Sequence, residues 1–534
     1  MKNFNKRLIQ LFLMIFVATN PAWTDSVDIY YGPQGGFSPM NNQRMLKFPD
    51  GTERRATLAS ALLYRLYNLE EGSTVKIAMY SMSDYKTLDA MIELCRDRKI
   101  NFKLLLDGAA TWSASSRDRI LERVKKARDE AWAENKPFNF QLAVSTAEAM
   151  RRNGREATLD DGKLIWGTMH EKFGIFYRPN DPVPHSSFSG SSNISVTSDQ
   201  IYAENRVFFD DQPVVARQFQ EEFARLWNEY STVILGPGTP EKYIEVSPVP
   251  GYAMVYFNAE PVNELELTRI DDRLINMIRR VKPDGRLDLA MFSFTRAELA
   301  EEILRAAERN PKASFRLLFD HAQLDDADPE QSKLAPWLEQ RAQEMGLKNI
   351  QVRYRFRRNA YGFSKDENKP VLISYLSLFL HHKTLVVNGN EMGLGSYNWS
   401  GSAEYLNFEN LMVFNGAYKD HQKVIDSFMA EFDTLWNARL PYGKVDRPRK
   451  GEPQTVTLKE GKKLHNELLS LLETYENNRV LGTLDREAFK TFAEIVEETG
   501  LKKNEVKKAL RKLEKAGLIV KWNKSGREGY SQAD

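Results

Sequence analysis

The stretch FLHHKTLVVNGNEMGLGSYNWSGSAEYLNFEN, residues 379–410, decides how this chain is organised. His381 and Lys383 stand at the start of an apolar, β-branched run that predicts a strand. Because successive side chains of a strand point to opposite faces, these two residues share one face. A turn at residues 388–390 follows the predicted strand.

Beyond this turn the stretch supplies small and hydrogen-bonding groups. Gly395 and Ser396 can approach an anionic oxygen closely, and Asn398 adds a carboxamide. Together with the imidazole and the ammonium of the His-x-Lys pair, these groups predict a phosphate site.

The same pattern of residues occurs once more, earlier in the chain. His170 and Lys172 open another apolar segment, and Gly190, Ser191 and Asn193 follow it. The histidines are 211 residues apart (381 minus 170) and the glycines 205 apart (395 minus 190). Such repetition indicates two copies of one α/β unit. Further landmarks recur at nearly the same offset: residues 79–82 match 291–294, 103–107 match 316–320, 203–205 match 408–410, and 222–228 match 431–437.

The paired motif resembles that of the phospholipase D superfamily, whose signature is His-x-Lys, four residues, Asp, six residues and Gly-Ser-x-Asn. The resemblance covers about residues 50–440. It implies an α/β fold with two tandem repeats, each a mixed or parallel sheet flanked by helices, packed about a pseudo-twofold axis. Neither copy has the signature Asp: Asn388 takes its place in the second copy and Tyr177 in the first, where Asp181 lies in an inserted loop.

The resemblance also implies hydrolysis of a phosphodiester without a metal or another cofactor. One neutral histidine would attack phosphorus to form a phosphohistidine, and the other would protonate the leaving oxygen and then activate water. The sequence leaves open which histidine attacks. Lysine and asparagine side chains would stabilise the phosphate oxygens, and a glutamate would hold each imidazole in the required tautomer. The residues so implied are His170, Lys172, Asn193, Glu204, His381, Lys383, Asn398 and Glu409 for catalysis, with Ser191 and Ser396 bonded to phosphate or to the motif network.

Composition bears on which partners, disulfides and metal sites this chain can have. The 534 residues include 75 Lys and Arg against 73 Asp and Glu, so the net charge of +2 does not indicate a partner. A single cysteine, Cys95, excludes an internal disulfide framework and a cysteine-based zinc site. The seven histidines lack the His-x-x-x-His and Glu-x-x-His spacings of metal ligands, so no metal is predicted.

Residues 1–24 have the form of a secretory signal peptide. Basic residues precede an apolar run at 8–18, and small or turn residues follow it. An uncleaved membrane anchor would need an apolar span of roughly 20 residues, which favours cleavage near Ala22 or Thr24. We therefore expect a secreted or periplasmic protein with no transmembrane segment after cleavage.

Stretches rich in Pro, Gly and charge predict the domain boundaries. The predicted parts are a signal peptide at 1–24, a first repeat at 25–235, a second repeat at 251–440, a linker at 441–459 and a winged-helix-like domain at 460–534.

The C-terminal part has the pattern of a winged helix-turn-helix fold. Predicted helices at 464–475, 492–498 and 503–516 precede a two-stranded wing. Cationic side chains on the third helix and the wing could contact a nucleic-acid backbone, although such domains also bind proteins and Lys-rich helices are often only solvated. The candidate residues for nucleic-acid contact are Lys507, Lys508, Arg511, Lys512 and Arg527.

A second basic stretch is VRYRFRR, residues 352–358, where cationic and aromatic residues alternate. It predicts either the lining of a groove for a polyanion or an edge strand with a solvated Arg face.

Two substrate classes stay open at this point. A phospholipase D-type enzyme that cleaves phospholipid headgroups is favoured by the predicted export and by the fused two-copy architecture. An exported nuclease is favoured by the basic C-terminal domain, by residues 352–358 and by Asn388, since a DNA-repair branch of the family also carries Asn there. A third hypothesis is a nucleic-acid-binding protein whose phosphodiesterase repeats no longer turn over.

Overall fold

Two eight-stranded sheets and a small C-terminal unit make up the computed structural model of this chain. The predicted signal peptide, the predicted helix at 464–475 and residues 356–358 lie outside the described residues. The structure describes residues 26–108, 114–146, 156–158, 164–200, 202–244, 252–258, 270–324, 334–355, 360–363, 370–374, 379–437, 455–456, 480, 484, 490–499, 501–515, 519–524 and 527–532.

The first repeat forms around strands that are apolar on both faces, as expected where helices cover a sheet on each side. Its strands are β1 (Ser26–Gly32), β2 (Met45–Lys47), β3 (Glu53–Arg55), β4 (Thr74–Met79), β5 (Asn101–Leu106), β6 (Phe140–Ser145), β7 (Glu156–Thr158), β8 (Leu164–Trp166), β9 (Lys172–Tyr177), β10 (Ser186–Gly190), β11 (Glu204–Asp210) and β12 (Ser231–Leu235). Its helices are α1 (Pro39–Asn42), α2 (Leu58–Tyr67), α3 (Tyr85–Arg98), α4 (Ala114–Ala133), α5 (Val196–Gln200) and α6 (Pro213–Glu229).

The second repeat follows the order of the first, except that no counterparts of α1, β2 and β3 occur among its described elements. Its strands are β13 (Met254–Phe257), β14 (Arg286–Met291), β15 (Ser314–Asp320), β16 (Ile350–Arg355), β17 (Ala360–Phe363), β18 (Pro370–Ser374), β19 (Lys383–Val387), β20 (Glu391–Gly395), β21 (Asn410–Asn415) and β22 (Thr455–Val456). Its helices are α7 (Ile270–Arg279), α8 (Ala297–Arg309), α9 (Leu334–Glu344), α10 (Gly401–Tyr405) and α11 (Lys419–Asn437), with a 3-10 turn at His321–Leu324.

The strand orders of the two sheets match position by position. The first sheet runs β1-β11-β10-β9-β4-β5-β6-β12 and the second runs β13-β21-β20-β19-β14-β15-β16-β22. In each sheet three central strands are parallel, β4 to β6 and β14 to β16. The strands that carry the His-x-Lys motifs, β9 and β19, pair antiparallel with β4 and β14. The prediction of two mixed-sheet repeats flanked by helices is confirmed.

The two repeats share one hydrophobic core. Aromatic side chains of α6 and α11 pack there against the facing sides of both sheets, and Phe209 stacks on Phe414 at 5.8 Å. The outer face of the first sheet is covered by α2, α3 and α4, and that of the second by α7, α8 and α9. Because burying each large apolar side chain contributes about 1.5–3 kcal/mol, this shared core holds the two copies face to face.

The C-terminal unit has a core of its own. Its elements are β23 (Lys490–Thr491), α12 (Phe492–Thr499), α13 (Lys503–Lys515), β24 (Ile519–Lys524) and β25 (Arg527–Gln532), with the sheet order β23-β25-β24. Apolar residues of α13 recur at helical spacing and face Ile495 and Ile519. The two described helices and the wing agree with the predicted winged helix, and β23 adds a third strand.

The predictions for residues 352–358 are wrong where the structure describes them. Strand β16 lies between β15 and β22, and Thr455–Val456 of β22 belongs to the stretch predicted as a linker. Arg353 donates a hydrogen bond to the Trp436 carbonyl, and its guanidinium lies 4.3 Å from that ring. Arg355 is fully buried, with its guanidinium 4.7 Å from the Phe37 ring. Neither cation lines a groove or a solvated edge.

Candidate active site

The two histidine motifs meet because each is anchored to the other repeat. The His170 N–H donates to the Phe408 carbonyl at 3.1 Å, and the His381 N–H donates to the Ala203 carbonyl at 2.9 Å. Both imidazoles are mostly buried, with 12% and 13% of their side chains exposed. In addition to burial, the ammonium groups of Lys172 and Lys383 each lower the pKa of both histidines. The four motif side chains therefore form one site.

Each motif lysine folds back over its own histidine. The Lys172 ammonium donates to the His170 carbonyl at 2.5 Å, and the Lys383 ammonium donates to the His381 carbonyl at 2.9 Å. This geometry follows from strand alternation, which puts residues i and i+2 on one face. Both ammonium groups are almost completely buried, which leaves them poorly hydrated.

The glutamates contact the histidines crosswise. Glu409 of the second repeat lies 2.8 Å from Nδ1 of His170 in the first, and Glu204 of the first lies 2.6 Å from Nδ1 of His381 in the second. Both carboxylates are completely buried. A carboxylate at Nδ1 favours a proton on that atom and leaves Nε2 as the basic atom of the ring. The sequence predicted one glutamate for each imidazole, and the structure assigns the partners.

The motif serines belong to the hydrogen-bond network behind the histidines. The Ser191 hydroxyl accepts from the Asn205 N–H at 3.0 Å, and the Ser396 hydroxyl accepts from the Asn410 N–H at 2.9 Å. Both serines are fully buried. Of the two roles predicted for them, contact with the motif network is the one that the geometry favours.

The motif glycines permit a close approach of strands. A Cβ atom on Gly395 would lie 2.2 Å from the Asn410 carbonyl oxygen, and one on Gly190 would lie 2.4 Å from the Asn205 oxygen. Glycine is therefore required next to the strand that carries Glu409 or Glu204. Contact with the neighbouring strand explains these glycines without a phosphate.

Each motif asparagine has a buried side-chain oxygen, Oδ1 of Asn193 or Oδ1 of Asn398, without a hydrogen-bond partner among the described residues. An amide oxygen only accepts hydrogen bonds, so the Nδ2 amide of each side chain is the group that could donate to a phosphate oxygen. Both carboxamides follow the Gly-Ser pairs, as the motif predicts.

Burial disfavours the charged forms of the two histidines, the two lysines and Glu409. It raises the pKa of Glu409 to about 8 and lowers the pKa of Lys172 to about 8. Burial and the Lys172 ammonium lower the pKa of Lys383 to about 7. Burial and the Lys383 ammonium lower the pKa of His381 to about 4 despite the nearby Glu204, and burial with Lys172 holds the pKa of His170 well below its usual value. An anion between the two lysines would stabilise their charged forms.

Two aspartates support the histidine segments, a role that sequence reasoning did not assign to them. Asp107 accepts the Met169 N–H at 2.9 Å, and Asp320 accepts the Leu380 N–H at 2.9 Å. Each aspartate ends or follows a central parallel strand and is buried. The sequence signal was their place at the ends of the matching stretches 103–107 and 316–320. Asp320 caps a turn as well, through the Ala322 N–H at 2.9 Å.

The positions of the missing signature Asp lie away from this site. Tyr177 ends β9 and donates a hydrogen bond to Gln220, and Lys76 donates to its hydroxyl at 3.1 Å. Asn388 occupies the turn between β19 and β20 with φ 53°, where Oδ1 accepts the Lys282 N–H at 3.1 Å. An extended strand rises about 3.3 Å per residue, so seven residues separate each position from its histidine by roughly 20 Å. In this chain these residues stabilise the strand ends.

The proposed nucleic-acid residues of α13 form an exposed cationic face. Lys507, Lys508, Arg511 and Lys512 are exposed, while Val506, Ala509, Leu510 and Leu513 are buried. Arg527 is the first residue of β25 and pairs with Lys524 of β24. This arrangement fits contact with a polyanion and equally fits a solvated helix face.

Two protein families match this chain, one at the two repeats and the other at the C-terminal unit. The family described as cardiolipin synthase, PLD-like domain, matches residues 68–227 and 274–436. The family described as winged helix-turn-helix DNA-binding matches residues 478–520.

Individual proteins show more distant likeness. A mitochondrial cardiolipin hydrolase of Xenopus tropicalis is 32% identical over 63 residues, which are 12% of this chain and 28% of that protein. The crystal structure of phosphatidylserine synthase from Haemophilus influenzae covers 84% of this chain and 92% of its own, with a TM-score of 0.50 and 12% identity. A phospholipase D family member, Nuc from Salmonella typhimurium, covers 35% of this chain and 93% of its own, with a TM-score of 0.24 and 16% identity. At 12% identity the synthase structure bears on the fold alone.

The helices were also compared with the length and hydropathy that a bilayer requires. Within the described ranges, none is both long enough and apolar enough to cross a membrane.

Proposed function

Since this chain belongs to the cardiolipin synthase, PLD-like domain family of phospholipase D-like proteins, we propose that it is a phosphoric diester hydrolase that cleaves phospholipid headgroups. The observation that carries the proposal is the crosswise pair of His–Glu contacts, His170 with Glu409 and His381 with Glu204. Two imidazoles oriented in this way, with two lysines beside them, match what a two-step displacement at phosphorus requires.

In the first step, Nε2 of one neutral histidine attacks phosphorus and forms a P–N bond while the bond to the leaving oxygen breaks. The second histidine, protonated, transfers its Nε2 proton to that oxygen, so the alcohol leaves as a neutral molecule. The carboxylate at Nδ1 of the attacking ring stabilises the positive charge that develops there.

In the second step, the same second histidine accepts a proton from water as the water oxygen attacks phosphorus. The P–N bond then breaks and the phosphate monoester is released, with the first histidine restored. Lys172 and Lys383 stabilise the equatorial oxygens in both steps, together with the carboxamides of Asn193 and Asn398.

Formal charges of the buried cluster support this division of roles. With both histidines neutral, these six side chains sum to zero when both lysines and both glutamates are ionised. The sum stays zero when Lys383 and Glu409 are both neutral, a state that their pKa values of about 7 and about 8 favour. A phosphodiester brings one negative charge, and one proton taken up by a histidine compensates it. Because low-dielectric sites favour neutrality, binding of the substrate would generate the general acid.

The choice of a phospholipid rests on two proposals taken together. The fused pair of repeats with one shared site is the first, and export to the periplasm or outside the cell, through the predicted signal peptide, is the second. Two proteins similar to this chain, a cardiolipin hydrolase and a phosphatidylserine synthase, are also named for phospholipids.

A nuclease is the second candidate, and the winged helix favours it. The exposed face of α13 carries four cations, and the family matched there is described as DNA-binding. On this proposal the C-terminal unit would hold a polynucleotide near the two repeats. A protein that binds nucleic acid without turnover would have the same surface and no activity.

The experiment is release of headgroup from phosphatidylcholine or cardiolipin vesicles in EDTA by the full chain and by the His170→Asn and His381→Asn variants. Bis-p-nitrophenyl phosphate serves as a generic diester, and single-stranded DNA as the competing substrate. Headgroup release that either substitution abolishes supports the proposal.

Other outcomes point elsewhere. Cleavage of DNA but not of vesicles would favour the nuclease, with an affinity that falls with salt and with a smaller salt slope after Lys507→Glu and Arg511→Glu. No turnover of any diester by a folded wild-type chain would overturn both enzymatic proposals.

A further inference from the structure

The two halves of the site differ at three symmetry-related positions around the histidines. Bridges join Met169 to Phe408 and Ala203 to Leu380, which fixes the correspondence of the flanking residues. Each member of a pair occupies the same place in its repeat, but the chemistry differs. The matched pairs are Tyr80 with Phe292, Thr168 with Phe379, and Asn407 with Tyr202.

The half around His381 is aromatic. The rings of Phe292 and Tyr202 lie 4.8 Å and 6.2 Å from the His381 ring. Phe379 contacts both of them, at 5.3 Å from Phe292 and 4.8 Å from Tyr202. All three side chains are partly exposed. We call Tyr202, Phe292 and Phe379 the aromatic wall.

The half around His170 is polar. The Thr168 hydroxyl donates to Oδ1 of Asn407 at 3.1 Å, and the Asn407 amide donates to Glu409 at 3.2 Å. Tyr80 lies 4.6 Å from the His170 ring. These three side chains are also partly exposed. We call Tyr80, Thr168 and Asn407 the polar wall.

We propose that the aromatic wall binds the diacylglycerol part of a phospholipid and that the polar wall receives the headgroup alcohol. A phospholipid is polar on one side of its phosphate and apolar on the other, and the site has the same division across its pseudo-twofold axis. Partly exposed rings gain by burying apolar area against glycerol and acyl carbons, whereas hydroxyl and carboxamide groups suit a hydroxylated or charged alcohol.

The packing of the rings favours a lipid over a nucleobase. Tyr202 and Phe379 cross at 71°, and Phe292 and Phe379 cross at 87°. Base recognition relies on stacking against an open ring face. Rings packed edge to face form instead an irregular apolar surface, which suits flexible chains.

This inference rests on the proposed hydrolysis of phospholipids, and its test separates the two. The test variant carries Tyr202→Asn and Phe379→Thr, so that its aromatic wall copies the residues of the polar wall. Phe292 is retained because its ring also faces the Lys383 ammonium at 5.2 Å. The matched control is Trp132→Asn on α4, an exposed aromatic residue on the outer helix layer.

The measured quantity is kcat/KM on short-chain phosphatidylcholine and on methyl p-nitrophenyl phosphate, which has no lipid chain. We expect the double variant to lose about tenfold or more on the lipid, as the loss of buried aromatic area predicts, and to stay within about threefold on the small diester. The control variant is expected to match wild type on both substrates.

Several results would overturn the inference. One is a wild type that cleaves the lipid and a double variant that cleaves it equally well. Another is an equal loss on both substrates, which would indicate general damage to the site. With a dinucleotide as a third substrate, a loss of activity on the dinucleotide alone would assign the aromatic wall to base binding. A wild type that cleaves the small diester but no lipid would instead overturn the proposed phospholipid function.

Discussion

Glu409 lies 2.8 Å from Nδ1 of His170, although 239 residues separate them in the chain and they belong to different repeats. Glu204 and His381 repeat this relationship in the opposite direction at 2.6 Å. Each repeat thus orients the imidazole of the other. One repeat by itself would contain a histidine without its carboxylate, which explains why the site needs both copies.

Replacing a cross-repeat glutamate should impair catalysis without unfolding the chain. We expect Glu409→Gln to lower kcat/KM on bis-p-nitrophenyl phosphate by about 10²–10⁴-fold, because a misoriented imidazole loses its acid–base role. Glu391→Gln is the control, since Glu391 pairs with Arg280 at the far end of β20. Wild-type activity of Glu409→Gln would show that the contact does not matter for catalysis.

Anion binding should weaken as the pH rises through neutrality. The pKa of Lys383 is lowered to about 7 and that of Lys172 to about 8, so both ammonium groups lose protons between pH 7 and pH 8 in the free site. Over the same range Glu409, with its pKa raised to about 8, gains negative charge. Both changes act against an anion. We expect the inhibition constant of tungstate to rise from pH 6 to pH 9, and a constant value would contradict this prediction.

Gly395 of the second motif and Gly401, six residues later, allow a matched pair of substitutions. In Gly395→Ala the new Cβ would lie 2.2 Å from the Asn410 carbonyl oxygen, so β20 and β21 must separate and carry Glu409 with them. We expect a loss of about 1–3 kcal/mol in the free energy of unfolding and strongly reduced activity.

Gly401→Ala provides the comparison, because no other atom lies within 4 Å of a Cβ there. That change should alter stability by about 0.5 kcal/mol or less. Urea unfolding of both variants measures the difference, and equal stabilities would refute the steric argument.

Removal of the Asp320 carboxylate should loosen the His381 segment. In Asp320→Ala the buried Leu380 N–H loses its acceptor, which costs about 1–3 kcal/mol of unfolding free energy. The activity should fall as well, because Leu380 directly precedes His381. Asp284→Ala is the control, since Asp284 is exposed. An Asp320→Ala variant as stable and active as the control would show that the segment is held by other contacts.

The sequence by itself determined the repeat and the family. Two His-x-Lys and Gly-Ser-x-Asn patterns in register predicted two α/β copies, and the strand orders of the sheets and the family match confirm them. Local periodicity predicted the α13 helix and its wing because those elements depend on neighbours in the chain. The residues assigned to catalysis, the signal peptide and the domain limits stay predictions.

Only the tertiary structure decided which residues contact each other across the two repeats. Sequence spacing places Glu409 near its own repeat, and only the packing of the two sheets brings it to His170. The alternation around Arg353 and Arg355 indicated either the lining of a groove for a polyanion or an edge strand with a solvated Arg face. Instead β22 pairs with this strand, and the Phe37 ring packs against Arg355. Asn388 stands in the motif, and yet strand length removes it from the site. Contacts between residues that are distant in sequence are made by burial of a shared core, which no local pattern encodes.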